Sequence, residues 1–266
     1  MTTRDDRQLE QMRRRLRRIL EEYVSIESQL TELESDRFRV CIFGSARIRP
    51  KDPIYRTVRE LARDLAELDV DVVTGGGPGL MEAANAGVQE ARNAASLSYG
   101  LPIRLPTAAE RANRHLDIKS EHRRFSSRLD EFMRLSHAVI VAPGGIGTML
   151  ELMYVWQLIQ VKMIESRPVV MLGRDFWGGL VAWMRAEMLT RRLVSPEDFD
   201  PIHLVDTPAE ALAYVRQALN QWMERQRGRP EATTQMRTAE KIVRGMEAKE
   251  QQPERRQPLP RMEAGE

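Results

Sequence analysis

Cysteine is nearly absent from this chain of 266 residues, and a single one, Cys41, excludes an intramolecular disulfide and a thiolate metal cage. Set in an apolar run, it reads as a small buried side chain. Lysine is scarce too. Lys51, Lys119, Lys162, Lys241 and Lys249 are the whole complement, and none lies in a glycine loop, which argues against a Schiff-base lysine for pyridoxal phosphate. No apolar run approaches ~18 residues and the first thirty lack a signal-peptide core, so a soluble, cytoplasmic protein without a membrane partner is expected. The charges nearly cancel, at +2, and make no general case for nucleic acid as a partner.

What the chain does have is glycine at the ends of apolar runs. Ala138 to Ala142 reads as a strand buried on both faces, as in parallel sheets. It runs through Pro143, Gly144, Gly145, Ile146 and Gly147 into a helix opening at Thr148. Glycines let a ligand approach backbone amides closely, and a helix N-terminus adds unpaired N–H groups and partial positive charge, so the junction reads as a phosphate cradle. Thr148-x-x-Glu151 equally matches a capping box, with no role beyond stability. Val70 to Thr74 runs into Gly75-Gly76-Gly77-Pro78-Gly79 and a second helix, and Val40 to Phe43 into Gly44-Ser45-Ala46-Arg47. Three such junctions predict an α/β fold, a Rossmann-like doubly wound parallel sheet whose strand ends face one crevice.

Pro143 to Glu151 resembles the PGGxGTxxE signature of the LONELY GUY (LOG) family, nucleotide 5'-monophosphate phosphoribohydrolases long labelled lysine decarboxylase-like. Gly75 to Met81 resembles the family's second loop, and Arg128, fifteen residues before Pro143, falls where the family carries its functional Arg. The resemblance spans roughly Phe38 to Met223. Arg128 to His137 is closer to the bacterial nucleosidases acting on purine and pyrimidine monophosphates than to plant cytokinin-activating members: Leu129 replaces the plant-type Lys, and Leu150 the frequent first Glu of the helix. The resemblance implies catalytic roles for Glu151 and Arg128, and a homodimer. Glu110, in Ala109-Glu110-x-x-Asn113, resembles a similarly placed Glu in the nucleosidases and reads equally as a first-turn helix residue.

Three segments are predicted. Residues 1–37 carry Leu9, Met12, Leu16, Ile19, Tyr23, Ile26, Leu30 and Leu33 at heptad spacing, an added long amphipathic helix that pairs or docks. Its Arg13 to Arg18 cluster shares that helix with Glu10, Glu21, Glu22 and Glu27, which favours a solvated salt-bridged face over nucleic-acid binding. Residues 38–226 form the Rossmann-like nucleotide-binding catalytic domain, with helices near 54–68, 80–88, 125–135, 148–164, 176–188 and 208–225, and strands near 95–101, 168–172 and 202–205 besides those above. The helix after Thr148 is apolar on nearly every side and must be covered on all of them, by the sheet and by a second subunit. Residues 227–266 read as a charged, largely disordered tail with at most a short helix at 238–249. His137, alone at the entry to the central strand, reads as a structural histidine.

The chemistry follows. A nucleoside monophosphate would place its phosphate on the amides of Gly144, Gly145, Ile146, Gly147 and Thr148, with Gly44, Ser45, Gly76, Gly77 and Glu110 completing the binding set. Glu151, one turn into the helix, would gain ~0.3 to 1 kcal/mol from the helix dipole and meet the positive charge that develops on the sugar as the N-glycosidic bond breaks. Arg128 is no general acid, because its guanidinium stays protonated. The expected products are free base and ribose 5-phosphate, with no metal and no cofactor. A dinucleotide enzyme is disfavoured, since neither loop completes G-x-G-x-x-G. The alternative from another class is a non-catalytic nucleotide-binding regulator or carrier.

Overall fold

The computed structural model describes residues 11–15, 18, 37–91, 95–104 and 111–227. Most of the heptad segment, Glu110 and the tail beyond residue 227 lie outside them.

Seven strands form one sheet in the order β4-β3-β2-β1-β5-β6-β7: β1 (Arg39–Phe43), β2 (Asp71–Thr74), β3 (Ser98–Gly100), β4 (Ile118–Lys119), β5 (Ala138–Val141), β6 (Val169–Leu172) and β7 (Ile202–Val205). Every neighbouring pair is parallel. Among the described residues six helices flank it: α1 (Pro53–Glu67), α2 (Leu80–Glu90), α3 (Phe125–Leu135), α4 (Ile146–Gln160), α5 (Arg174–Trp183) and α6 (Pro208–Arg227).

The two-residue period of the strands splits the core. Val40, Ile42, Ala138, Ile140, Val170 and Leu172 face one layer, packed with Val58, Leu61 and Leu65 of α1, Leu80 of α2 and Val215 of α6. Their alternates Cys41, Phe43, Val139, Val141, Val169 and Met171 face the other, with Phe132 of α3, Leu152 and Trp156 of α4 and Trp177 of α5. With both faces covered, the central strands have no polar side, which is why they read as continuous apolar runs.

The chain steps outward from β1 to β4, then returns to the far side of β1 with β5. The order in which strands are added therefore reverses between β1 and β5, and the loops after these parallel strands diverge there to leave a crevice. Ser45 N–H donates to Pro143 O at 3.1 Å, and Leu80 N–H to Ser45 O at 3.0 Å, so all three glycine loops are joined through Ser45. At Gly79 the backbone takes φ +72 and a side chain would strike the backbone of Ser45 and Ala46, so only glycine permits that closeness.

The described elements largely follow the expected ones, with three differences. The third strand shrinks to three residues, and β4, only two residues long, arises in a segment without strand pattern. Beyond α5 the helix continues as a π-helical turn, Met184–Leu189. The third concerns α4. It begins at Ile146 with Gly145 as N-cap, not at Thr148, and no side chain caps it. Thr148 is buried against Gly144, so the Thr148–Glu151 capping box does not form.

Candidate active site

The crevice is a cleft of about 460 Å³ that gathers Gly44, Ser45, Arg47, Gly75, Arg128, Gly145, Ile146, Gly147, Thr148 and Glu151, with Ile42, Phe43, Ala46, Met81, Ile103 and Phe125 as its other walls. The polar groups arrive on separate parts of the fold. Ser45 and Arg47 follow β1, Arg128 projects from α3, and Thr148 and Glu151 share a face of α4 through their i, i+3 spacing.

Starting α4 two residues early changes the electrostatics. The amides of Ile146, Gly147 and Thr148 have no carbonyl within the helix to bond and stand at its positive end. A side chain at Gly145 or Gly147 would meet no protein atom, and neither glycine has positive φ, so nothing in the packing or the backbone there demands glycine. Glu151 now falls in the second turn, where the dipole effect has faded. Its charge partner is instead Arg128, whose Nη1 lies 3.7 Å from Glu151 Oε1.

Arg128 is only 7% exposed. Its Nε–H donates to Leu101 O at 2.6 Å, its guanidinium carbon lies 5.1 Å from the Phe132 ring centre, and its Nη2 occupies the space that a side chain on Gly75 would fill. A buried arginine held on a backbone carbonyl, a ring and a carboxylate is a fixed positive charge on the cleft floor.

Not every residue expected in the site lines it. Gly75 does, whereas Gly76 and Gly77 are buried one and two residues further on. Their carbonyls accept from Asn113 Nδ2 at 3.1 and 2.9 Å, which ties the segment before α3 to the second glycine loop. Gly144 lies beneath the Thr148 side chain and is not a wall of the cleft. Arg47, Met81, Ile103 and Phe125 are walls that the sequence pattern did not single out. Phe125, on the first turn of α3, is 51% exposed.

His137 precedes β5, at the end of that strand remote from the cleft. Its Nδ1 accepts from Arg39 N–H at 3.1 Å, its ring stacks on Phe38 and meets Trp222 edge-on, and burial, with the charges of Arg167, Arg39 and Arg225, lowers its pKa to about 3. It is a neutral structural histidine. Burial likewise pushes the Cys41 thiol up, and Cys41 is not a wall of the cleft. Among the described residues no group of His, Cys, Asp or Glu is placed to hold a metal, and no helix is long and apolar enough to cross a membrane.

Sheet order, two-sided helical cover and a glycine-lined crevice at the reversal point define a Rossmann-like α/β protein. The family model described as "possible lysine decarboxylase" matches residues 81–215, and the chain belongs to that family. Over 146 residues it is 31% identical to the pyrimidine/purine nucleotide 5'-monophosphate nucleosidase of Escherichia coli (strain K12), covering 53% of this chain and 32% of that protein. The chain thus spans about a third of the length of that relative. It is also 26% identical over 197 residues to the probable cytokinin riboside 5'-monophosphate phosphoribohydrolase LOGL6 of Oryza sativa subsp. japonica, covering 73% of this chain and 76% of the relative. Among solved structures, that of TM1055, a structural genomics target, is 25% identical with TM-score 0.52, over 68% of this chain and 99% of the other.

The family description implies pyridoxal phosphate, and the residues present do not fit it. A Schiff base needs a lysine, and none lines the cleft.

Proposed function

We propose that this chain hydrolyses the N-glycosidic bond of nucleoside 5'-monophosphates, giving free base and ribose 5-phosphate. The observation that carries this reading is the Glu151–Arg128 pair on the cleft floor, on the same cleft as the uncapped start of α4, whose first amides have no carbonyl partner within the helix. The relatives' names support it, since both are nucleoside monophosphate hydrolases by description.

In this reading the phosphate rests on the amides of Ile146, Gly147 and Thr148, which places the ribose over Glu151. As the bond from C1' to the base nitrogen breaks, positive charge grows on the sugar, and the Glu151 carboxylate stabilises it or takes a proton from the attacking water. The water oxygen ends on C1' of ribose 5-phosphate, and the base leaves with a proton. Arg128 orients the carboxylate and remains charged throughout. The exposed Phe125 and Ile146 and the buried Met81 and Ile103 offer apolar surface to the base. A carboxylate in that place also sets this reading above a carrier, which has no use for negative charge beside a phosphate.

The same proposal includes pairing of two copies through α4, where Ile146 and Leu150 are 86% and 44% exposed. A cytoplasmic location belongs to it as well, testable by cell fractionation.

The test is incubation with AMP, GMP, CMP and UMP, following free base by chromatography. Base release that disappears in Glu151→Ala is expected. Tight binding without release by the unsubstituted chain would overturn the enzyme in favour of the carrier.

A further inference from the structure

Among the described residues the cleft contains two arginines, and their surroundings assign them different work. The Arg128 guanidinium is held by Leu101 O, Glu151 and the Phe132 ring and is almost wholly buried. Its charge is matched by the Glu151 carboxylate. A phosphate monoester brings roughly −1.5 to −2 charges at neutral pH. If Arg128 were the sole cation for both, the site would hold one positive charge against about three negative ones, and helix amides carry only about half a charge.

Arg47 is the other cation of the cleft among the described residues. It is exposed, and among the described residues its guanidinium has no carboxylate or carbonyl partner. Its backbone, in contrast, is held. Arg47 N–H donates to Ser45 Oγ at 3.1 Å, and Ser45 N–H donates to Pro143 O at 3.1 Å, immediately before the glycines that lead into α4. Because the Ser45 hydroxyl oxygen accepts from Arg47 N–H, its own O–H remains available to donate elsewhere.

We propose that the Ser45–Arg47 turn is the phosphate-binding arm of this cleft: Arg47 neutralises the phosphomonoester, Ser45 donates to it, and Arg128 serves Glu151 alone. Arg47 thereby selects phosphorylated sugars over free nucleosides. The inference rests on the hydrolytic reading for the identity of the ligand, but the charge argument applies to any phosphomonoester bound there.

The experiment uses the full chain with ribose 5-phosphate as the probe, measured by calorimetry, alongside AMP turnover. Arg47→Ala weakens ribose 5-phosphate binding on the order of ten-fold and raises KM for AMP by a similar factor, the size expected for one charged hydrogen bond, while kcat changes less. Arg47→Lys restores most of the loss, Ser45→Ala gives a smaller one, and circular dichroism checks that each variant is folded. Unchanged ribose 5-phosphate affinity and KM in folded Arg47→Ala would overturn the phosphate arm even with turnover intact. Weakened ribose 5-phosphate binding in a chain that releases no base from any monophosphate would uphold the arm and sink the hydrolytic reading instead.

Discussion

Gly75 leaves the space that the Arg128 guanidinium occupies: a side chain built on Gly75 would collide with Arg128 Nη2 and crowd the Met81 sulfur. The relationship joins the second glycine loop to the cation of α3, although no hydrogen bond links them. Gly75→Ala is expected to cost ~1 to 3 kcal/mol of stability through overpacking, and to lower base release by on the order of a hundredfold, because Arg128 and with it Glu151 are displaced. Thermal melts beside chromatographic assays separate the two effects, and unchanged turnover would count against the proposed pairing.

Glu151 supports no cap, but its side chain is only 14% exposed and its carboxylate matches the charge of buried Arg128. Glu151→Gln keeps the shape and an acceptor oxygen but not the charge, and is expected to cost ~1 to 3 kcal/mol in urea titrations while losing ~10²- to 10⁴-fold in turnover. A variant that keeps a tenth of its activity or more would remove the carboxylate from the reaction.

Asn113 is expected to be structural in a specific place. Its amide bridges Gly76 O, Gly77 O and Asn85 Oδ1, and Asn85 is itself buried and bonded to Thr74 and Ser98. Asn113→Ala leaves those acceptors short of a donor and should cost ~1 to 3 kcal/mol. Limited proteolysis should then cut between residues 101 and 124 sooner than in the unsubstituted chain.

His137 gives the protein an acid-side liability. Its folded pKa of about 3 lies below its ordinary value of 6.5, so between the two the unfolded chain binds the extra proton and stability falls with the pH. The stabilisation is complete above pH 6.5 and is lost progressively toward pH 3. His137→Asn keeps an acceptor for Arg39 N–H but does not titrate. It should be less stable at pH 7.5, through lost ring packing, and show a shallower decline from pH 6.5 to 4 in urea titrations. An identical slope in both proteins would refute this assignment.

The exposed apolar residues of α4 provide a test of pairing. Leu150→Glu introduces a charge on a surface position, where effects on the isolated chain stay within about 0.5 kcal/mol. Sedimentation velocity should show the unsubstituted protein as a dimer and Leu150→Glu as a monomer. A monomer in both cases would leave α4 to some other cover.

Much of this was legible in the sequence because it is written locally. Apolar runs such as 138–142, ended by glycine, are strands buried on both faces, and the helices between them show in the spacing of residues such as Val58, Leu61 and Leu65. Two-residue β4 carried no such signal, since its pairing with β3 depends on a neighbour rather than on its own residues. The start of α4 was misplaced for a related reason. Thr148 has the chemistry of a cap, but α4 begins two residues before it, so its backbone is already helical and its hydroxyl packs against Gly144.

For the site the division is sharper. The sequence alone determined that three glycine junctions and a carboxylate share one chain, since glycine's small size and a buried strand's composition are local properties. Only the tertiary structure decided that Arg128 meets Glu151 rather than solvent, that Gly75 rather than its neighbours faces the cleft, and that Arg47 and the start of α4 line the same cleft. Those relations join residues far apart along the chain, and only the strand order that sets β1 between β2 and β5 brings them together.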